Sequence, residues 1–205
     1  MKRGIILPIL GFLITTAFIR AQDTRRFFGN AKAGLNFAQI DGDNLGGYNR
    51  FGYNAGVAVS ARLQKNTEIQ LEILYSLRGS RYGKYDNLIS GYRLDYIDLP
   101  LIFCLKDWLK EDSKGSYYKT HFQGGLYVGQ LIKSSSLESN QLDQLFRKTD
   151  FGWLLGFTFY ANRNYGITGR FTRSFLPLHE YIDNGGSKIR MTSYFISLGL
   201  TYRFN

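Results

Sequence analysis

Cysteine, proline, histidine, tryptophan and methionine are all scarce in this chain of 205 residues, at one, three, two, two and two copies. The single cysteine, Cys104, has no partner within the chain, so no disulfide framework holds the fold. It reads as a small buried filler. One cysteine and two histidines give no group at metal-ligand spacing, so no metal site and no cofactor is expected. Few prolines leave long stretches of backbone free to pair. Beyond residue 21 no apolar run approaches the ~20 residues of a membrane-spanning helix. A mean hydropathy of −0.23 agrees. A helical period is missing as well, apart from a possible helical turn at 137–147.

The charge balance lacks a nucleic-acid footprint. The formal net charge is +10, but the basic residues are spread along the chain and form no cluster interleaved with aromatics. Nucleic acid is therefore not expected as a partner. Lys2 and Arg3 precede the apolar run GIILPILGFLITTAFI, and Ala21 supplies a small residue before Gln22. This is the layout of a secretory signal peptide over 1–21, with the mature domain at 22–205. No cysteine follows the cut, which argues against a lipid anchor.

What is abundant is glycine, tyrosine and phenylalanine, at 23, 15 and 16 copies. They sit in a period of two. In FGYNAGVAVSARL the odd positions Phe51, Tyr53, Ala55, Val57, Val59, Ala61 and Leu63 form one apolar face, and small or polar residues alternate with them. That is the pattern of a half-buried strand. It recurs from Ala31, Thr67, Tyr92, Tyr118, Phe151, Tyr165 and Tyr194. In the strand from Tyr92 the phase slips, with Arg93 and Asp95 polar before it and Leu99, Leu101 and Phe103 apolar after. A β-bulge near Ile97–Asp98 would absorb the slip.

Eight strands of roughly ten residues suit tilted transmembrane strands. Long polar connections at 38–50, 79–91, 132–149 and 176–190 alternate with short ones at Gln64–Asn66 and Asn162–Asn164 and a medium one at 106–116. The expected fold is all-β: an eight-stranded antiparallel up-and-down transmembrane β-barrel. A soluble barrel would alternate too, with its apolar face inward. Lipid is favoured by the Gly-rich polar face, by aromatics near strand ends and by the closing strand YFISLGLTYRFN. The tight turns and both mature termini are then periplasmic.

A three-residue turn at Gln64–Asn66 sets Leu63 opposite Thr67, Arg62 opposite Glu68 and Ala58 opposite Glu72. In the other tight hairpin Gly156 opposes Arg170. Eight strands leave an interior filled by side chains. Arg62, Glu68, Glu72, Arg93, Asp95, Arg170 and Arg203 are expected to interlock there as a structural plug, with charges paired.

The phrases AGLNFAQIDGDN, FGYNAGVAVSARL, YIDLPLIFCLK, GGLYVGQLI, DFGWLLGFTF and YRFN resemble the PorT-like outer-membrane β-barrel family of Bacteroidota. The carrying pieces are Tyr96 to Leu101, of the type Y-[LI]-[DE]-[LI]-P-L, and Asp150–Phe151–Gly152. The resemblance implies an integral outer-membrane protein of a Gram-negative bacterium. It also implies that Tyr202 and Phe204 near the C-terminus act as the signal for the barrel-insertion machinery. Its motifs are structural and do not transfer an activity. The leading expectation is a small non-enzymatic barrel, seated in outer-membrane lipid, structural or engaging other envelope proteins through its long loops. One alternative is a component of a protein-secretion or gliding apparatus. Another is a lipid-modifying enzyme or protease, for which His121, or His179 with Glu180 and Asp183, would be the candidates. No catalytic triad is visible.

Overall fold

The computed structural model describes residues 26–43, 47–81, 91–113, 115–136, 146–182 and 185–204. The signal segment 1–21, its cut before Gln22, most of 137–147 and of the 79–91 connection, and Asp183 lie outside the described residues. Nine strands are described: β1 (Phe27–Asp41), β2 (Arg50–Gln64), β3 (Thr67–Arg81), β4 (Gly91–Asp112), β5 (Gly115–Ser136), β6 (Thr149–Tyr160), β7 (Tyr165–Ser174), β8 (His179–Ile182) and β9 (Lys188–Arg203).

Eight of them close a ring. β1 to β7 pair in chain order, β7 pairs β9, and β9 returns to β1, all antiparallel. The ladder runs from Phe28 through Ser60, Gln70, Ile102, Gly125, Leu154, Thr172 and Phe195 to Ala38. It thus returns to β1 ten residues beyond its start, the stagger that tilts the strands and fixes the bore. The expected register holds at Arg62 opposite Glu68, Ala58 opposite Glu72 and Gly156 opposite Arg170. The first tight turn differs: Gln64, not Leu63, faces Thr67, and a bulge lies between Arg62 and Gln64. The second is fixed by Asn162, whose Oδ1 accepts from the backbone N–H of Asn164 and Tyr165 at 2.9 Å each.

Two expectations about strand limits are corrected. The 106–116 connection is mostly strand: β4 and β5 run 22 residues each and form a hairpin that passes the end of β3. The 176–190 connection contains β8, which pairs with Lys188–Met191 of β9 beyond the ring. Apolar alternation marks lipid contact, and a ladder that continues into water does not need it.

The third correction concerns β4. Its even residues point inward throughout, from Leu94 and Tyr96 to Cys104 and Lys106, and Leu99, Leu101, Phe103 and Leu105 point outward. There is no phase slip and no bulge at Ile97–Asp98. The register shift lies between Asp95 and Tyr96 against β5, where Ile132 is the extra residue. The β3–β4 ladder also skips the pairs beside Pro100, which has no N–H to give. The pattern inverts because the surroundings do. Near the loop end, inward residues pack under the loops and outward residues leave the hydrocarbon.

The outward face is a continuous apolar belt, from Phe51 and Leu200, each 68% exposed, to Val57, Leu71, Leu101, Phe122 and Leu155. The inward face is buried and mostly polar, with a small apolar cluster of Ile102, Cys104 and Leu154. Aromatics bound the belt at both ends. Phe37 with Phe51, Tyr53 with Tyr75 and Trp153 with Phe171 lie towards the long loops; Tyr165 with Tyr202 and Tyr202 with Phe204 lie towards the tight turns. From Tyr194 to Tyr202 on β9 is eight steps of ~3.3 Å, about 26 Å along a tilted strand. A protein with a polar buried interior and such a belt outside is built for lipid.

Candidate functional site

The lumen is organised as three charged clusters stacked along the barrel. Nearest the tight turns, Glu68 receives Lys106 at 2.8 Å and Arg203 at 2.6 Å. In the middle, Glu72 receives Arg170 at 2.8 and 2.9 Å through both oxygens, and Lys32 at Oε1. Gln70 also donates to Glu72, and Gln123 accepts from Arg170 at 3.1 Å. Nearest the loops, Arg78 lies between Asp98 at 3.2 Å and Asp150 at 3.1 Å. Its guanidinium covers the Tyr96 ring at 3.8 Å. Glu68, Glu72 and Arg78 are each 0% exposed. Ions this deep persist only when paired and hydrogen-bonded.

Glycine shapes the third cluster. A Cβ on Gly152 would lie 2.6 Å from Cε1 of Tyr127, whose hydroxyl donates to Asp150 at 2.7 Å. A Cβ on Gly129 would overlap Asp98 and Arg78. Both motif pieces singled out in the sequence therefore end at one residue: Asp98 of Tyr96–Leu101 and Asp150 of Asp150–Gly152 both bind Arg78.

Of the seven expected lumen residues, the structure brings Glu68 and Arg203 together, and Glu72 and Arg170. Arg62 lies across from Glu68 on the ladder but does not bind it; its guanidinium stacks on Phe28 at 5.0 Å. Arg93 and Asp95 are corrected. They pair with each other at 3.2 Å on the outward parity of β4, with the Arg93 side chain 43% exposed, because that strand keeps its phase. Lys32, Arg78, Lys106, Asp98 and Asp150 were missed as lumen partners. Even-numbered inward parity was the signal for all five, obscured at Asp98 by the supposed bulge and at Lys106 by the supposed loop.

The two mouths differ. At the loop end Ile40, Leu94, Tyr96, Phe146, Leu178 and Met191 form a buried apolar cluster across the opening. Backbone bonds tie it down, from Leu178 N–H to Met191 O at 2.7 Å and from Arg147 N–H to Leu178 O at 2.8 Å. Tyr181 Oη donates to the Gly42 carbonyl at 3.1 Å. At the turn end a cavity of ≈ 290 Å³ stays open, lined by Arg62, Glu68, Lys106, His121, Tyr160 and Arg203 among others.

The histidines serve packing contacts. His121 is buried with its ring 4.7 Å from that of Tyr160, and His179 stacks on Tyr181 at 6.1 Å. Glu180 is bound by Lys188 at 2.7 Å and Arg190 at 3.1 Å. The hydrogen bond from Lys188 holds the Glu180 carboxyl below its ordinary range. Tyr202 and Phe204 sit at the turn-end rim, and the Phe204 N–H donates to Gly29 O at 2.9 Å, beside the seam where β9 meets β1.

A family model described as outer membrane protein beta-barrel domain matches residues 20–180. No curated protein sequence matches the chain. The chain is similar to several solved structures, of which Neisserial surface protein A shares its fold. Neisserial surface protein A is 13% identical over 87% of this chain and 97% of its own, with a TM-score of 0.50. The attachment invasion locus protein Ail of Yersinia pestis is 14% identical over 88% and 100%, at 0.49. OprG of Pseudomonas aeruginosa is 12% identical over 88% and 96%, at 0.43.

Proposed function

From its place in the outer membrane protein beta-barrel domain family, to which this chain belongs as an integral outer-membrane barrel, we propose a non-enzymatic protein that engages envelope partners through its loop end. The carrying observation is the apolar cluster over that mouth. It pre-forms the β8–β9 hairpin as a rigid surface, with Ile182 at its tip 73% exposed. With three charged clusters below, the lumen offers side chains where a porin would offer water. In this reading the tight turns face the periplasm, and Tyr202 and Phe204 address the insertion machinery.

The test has two arms. Purified protein in planar bilayers is expected to show no steady large conductance, and a stable wide conducting state would overturn the reading. A photo-crosslinker at Ile182 in native outer membranes is expected to trap a defined envelope protein, lost when β8–β9 is replaced by a short turn. Trapping only lipid there would sink partner binding through this hairpin.

A second reading, resting on the resemblance of Tyr96–Leu101 and Asp150–Gly152 to the PorT-like family, is a component of a protein-secretion or gliding apparatus. A secretion or gliding role would appear as loss of secreted proteins or motility on deletion of the gene. Unchanged secretion would leave the loop-surface reading alone.

A further inference from the structure

The turn-end cavity holds more positive charge than its described surroundings neutralise. Arg62, Lys65, Lys106, Arg163 and Arg203 line it. Among the described residues Glu68 is its single lining carboxylate, and its two oxygens are taken by Lys106 and Arg203. Asp112, at the tip of the β4–β5 hairpin, occupies Arg163 through both oxygens, at 3.0 and 2.8 Å from Nε and 2.6 Å from Nη2. Arg62 and Lys65 enter no ion pair among the described residues, and Arg62 Nε is shut off from solvent with no hydrogen-bond partner. The cavity is blind: the Glu68 and Glu72 clusters lie above it, and the apolar cluster closes the far mouth.

Cations gathered in a half-enclosed space with low-dielectric walls repel one another and focus their field on whatever enters. The geometry points to a binding site for a phosphate-bearing anion in this cavity, with Arg62 and Lys65 as the free cations that hold it. A planar carboxylate is satisfied by one guanidinium fork. Here the donors come from several walls, which suits an anion with oxygens in several directions. Ser116 and Tyr118 add hydroxyls to the same lining. A cavity of ≈ 290 Å³ has room for a phosphate together with a small organic group. The ligand comes either from solution, as a phosphate ester, or from the adjoining leaflet, as a phospholipid headgroup. The proposed orientation decides only that the periplasmic side supplies it.

The experiment uses the full barrel in uncharged detergent. Glycerol 3-phosphate is titrated calorimetrically at low salt, and in parallel the protein in nanodiscs of phosphatidylglycerol and phosphatidylcholine is examined by native mass spectrometry for retained phosphatidylglycerol. Lys65→Glu, in an exposed turn, and Arg62→Ala are the variants. One-to-one binding of glycerol 3-phosphate, weakened roughly tenfold or more in both, supports the site and a soluble source. Retention of phosphatidylglycerol alone, lost in both, supports the site and a lipid source. Binding of neither probe, or unchanged binding in both variants, overturns the proposal. Protease access in intact cells tests the orientation separately, so the two failures are read apart.

Discussion

The two ends of this lumen solve one problem in opposite ways. Both must stop a polar interior without leaving a hole through the membrane. The loop end does so with apolar side chains, Ile40, Leu94, Phe146, Leu178 and Met191, laid over a cluster in which two acids share one arginine. The turn end does so with Glu68 clamped by two cations, and leaves an open, positively charged cavity below. A covered mouth puts function on the outside of the cover. An open, charged one puts it in the recess.

The largest test of that contrast is Arg78→Ala. It strands the buried Asp98 and Asp150 without their cation, at a cost of roughly 3–5 kcal/mol, read as a lower urea midpoint for unfolding from vesicles. Arg78→Met with Asp98→Asn and Asp150→Asn removes the charges together and is expected to recover much of the loss. Equal destabilisation of the triple variant would show that packing around Tyr96 and Tyr127, not charge, holds the upper lumen.

Next is Leu178→Ala, which empties the centre of the apolar cluster. The expected cost is about 2–4 kcal/mol, confined to the cover. Trypsin should then cut at Lys188 or Arg190 in the intact protein while the belt-spanning strands stay protected. Unchanged protection there would mean that β8–β9 is held by its own ladder alone.

Much of this was legible in the sequence. The apolar belt, the ring of eight and the register of two hairpins follow from period-two alternation and turn lengths. The β4–β5 hairpin beyond Leu105 was hidden because strands in water need no apolar face. The inversion at Tyr92–Tyr96 was misread for a related reason: the inside becomes apolar under the loops where the outside becomes polar, so Arg93 and Asp95 looked like lumen residues. The pairings were harder. A register gives Cα neighbours such as Arg62 and Glu68. Lys106 instead reaches Glu68 as a diagonal neighbour on β4, and Arg203 reaches it from β9, three strands round the ring, a distance no local pattern encodes.

That difference is measurable. Glu68→Ala combined with Lys106→Ala is expected to cost less than the sum of the singles by about 1–3 kcal/mol, since both act on one ion pair. Glu68→Ala with Arg62→Ala should be nearly additive, with Arg62→Ala alone costing ~0–1 kcal/mol. Strong coupling in the second cycle and none in the first would return Glu68 to its ladder neighbour and take Arg62 out of the anion site.

The smallest expected thermodynamic effect lies at the turn-end rim. Phe204 is 51% exposed, stacks edge-on to Tyr202 at 5.1 Å, and adjoins Gly29 across the β1–β9 seam. An acidic residue at that depth is near the interface, where a charge on the lipid face costs only ~0–1 kcal/mol. Phe204→Asp should therefore unfold from preformed vesicles at nearly the wild-type urea concentration. On the proposed reading, in which the terminal aromatic addresses the insertion machinery before the barrel exists, the same variant is expected to reach the outer membrane poorly in cells. The comparison between the two measurements is what carries weight. A large in vitro loss would make Phe204 a packing residue of the seam. Normal insertion in cells with normal stability would remove Tyr202 and Phe204 from any role in assembly.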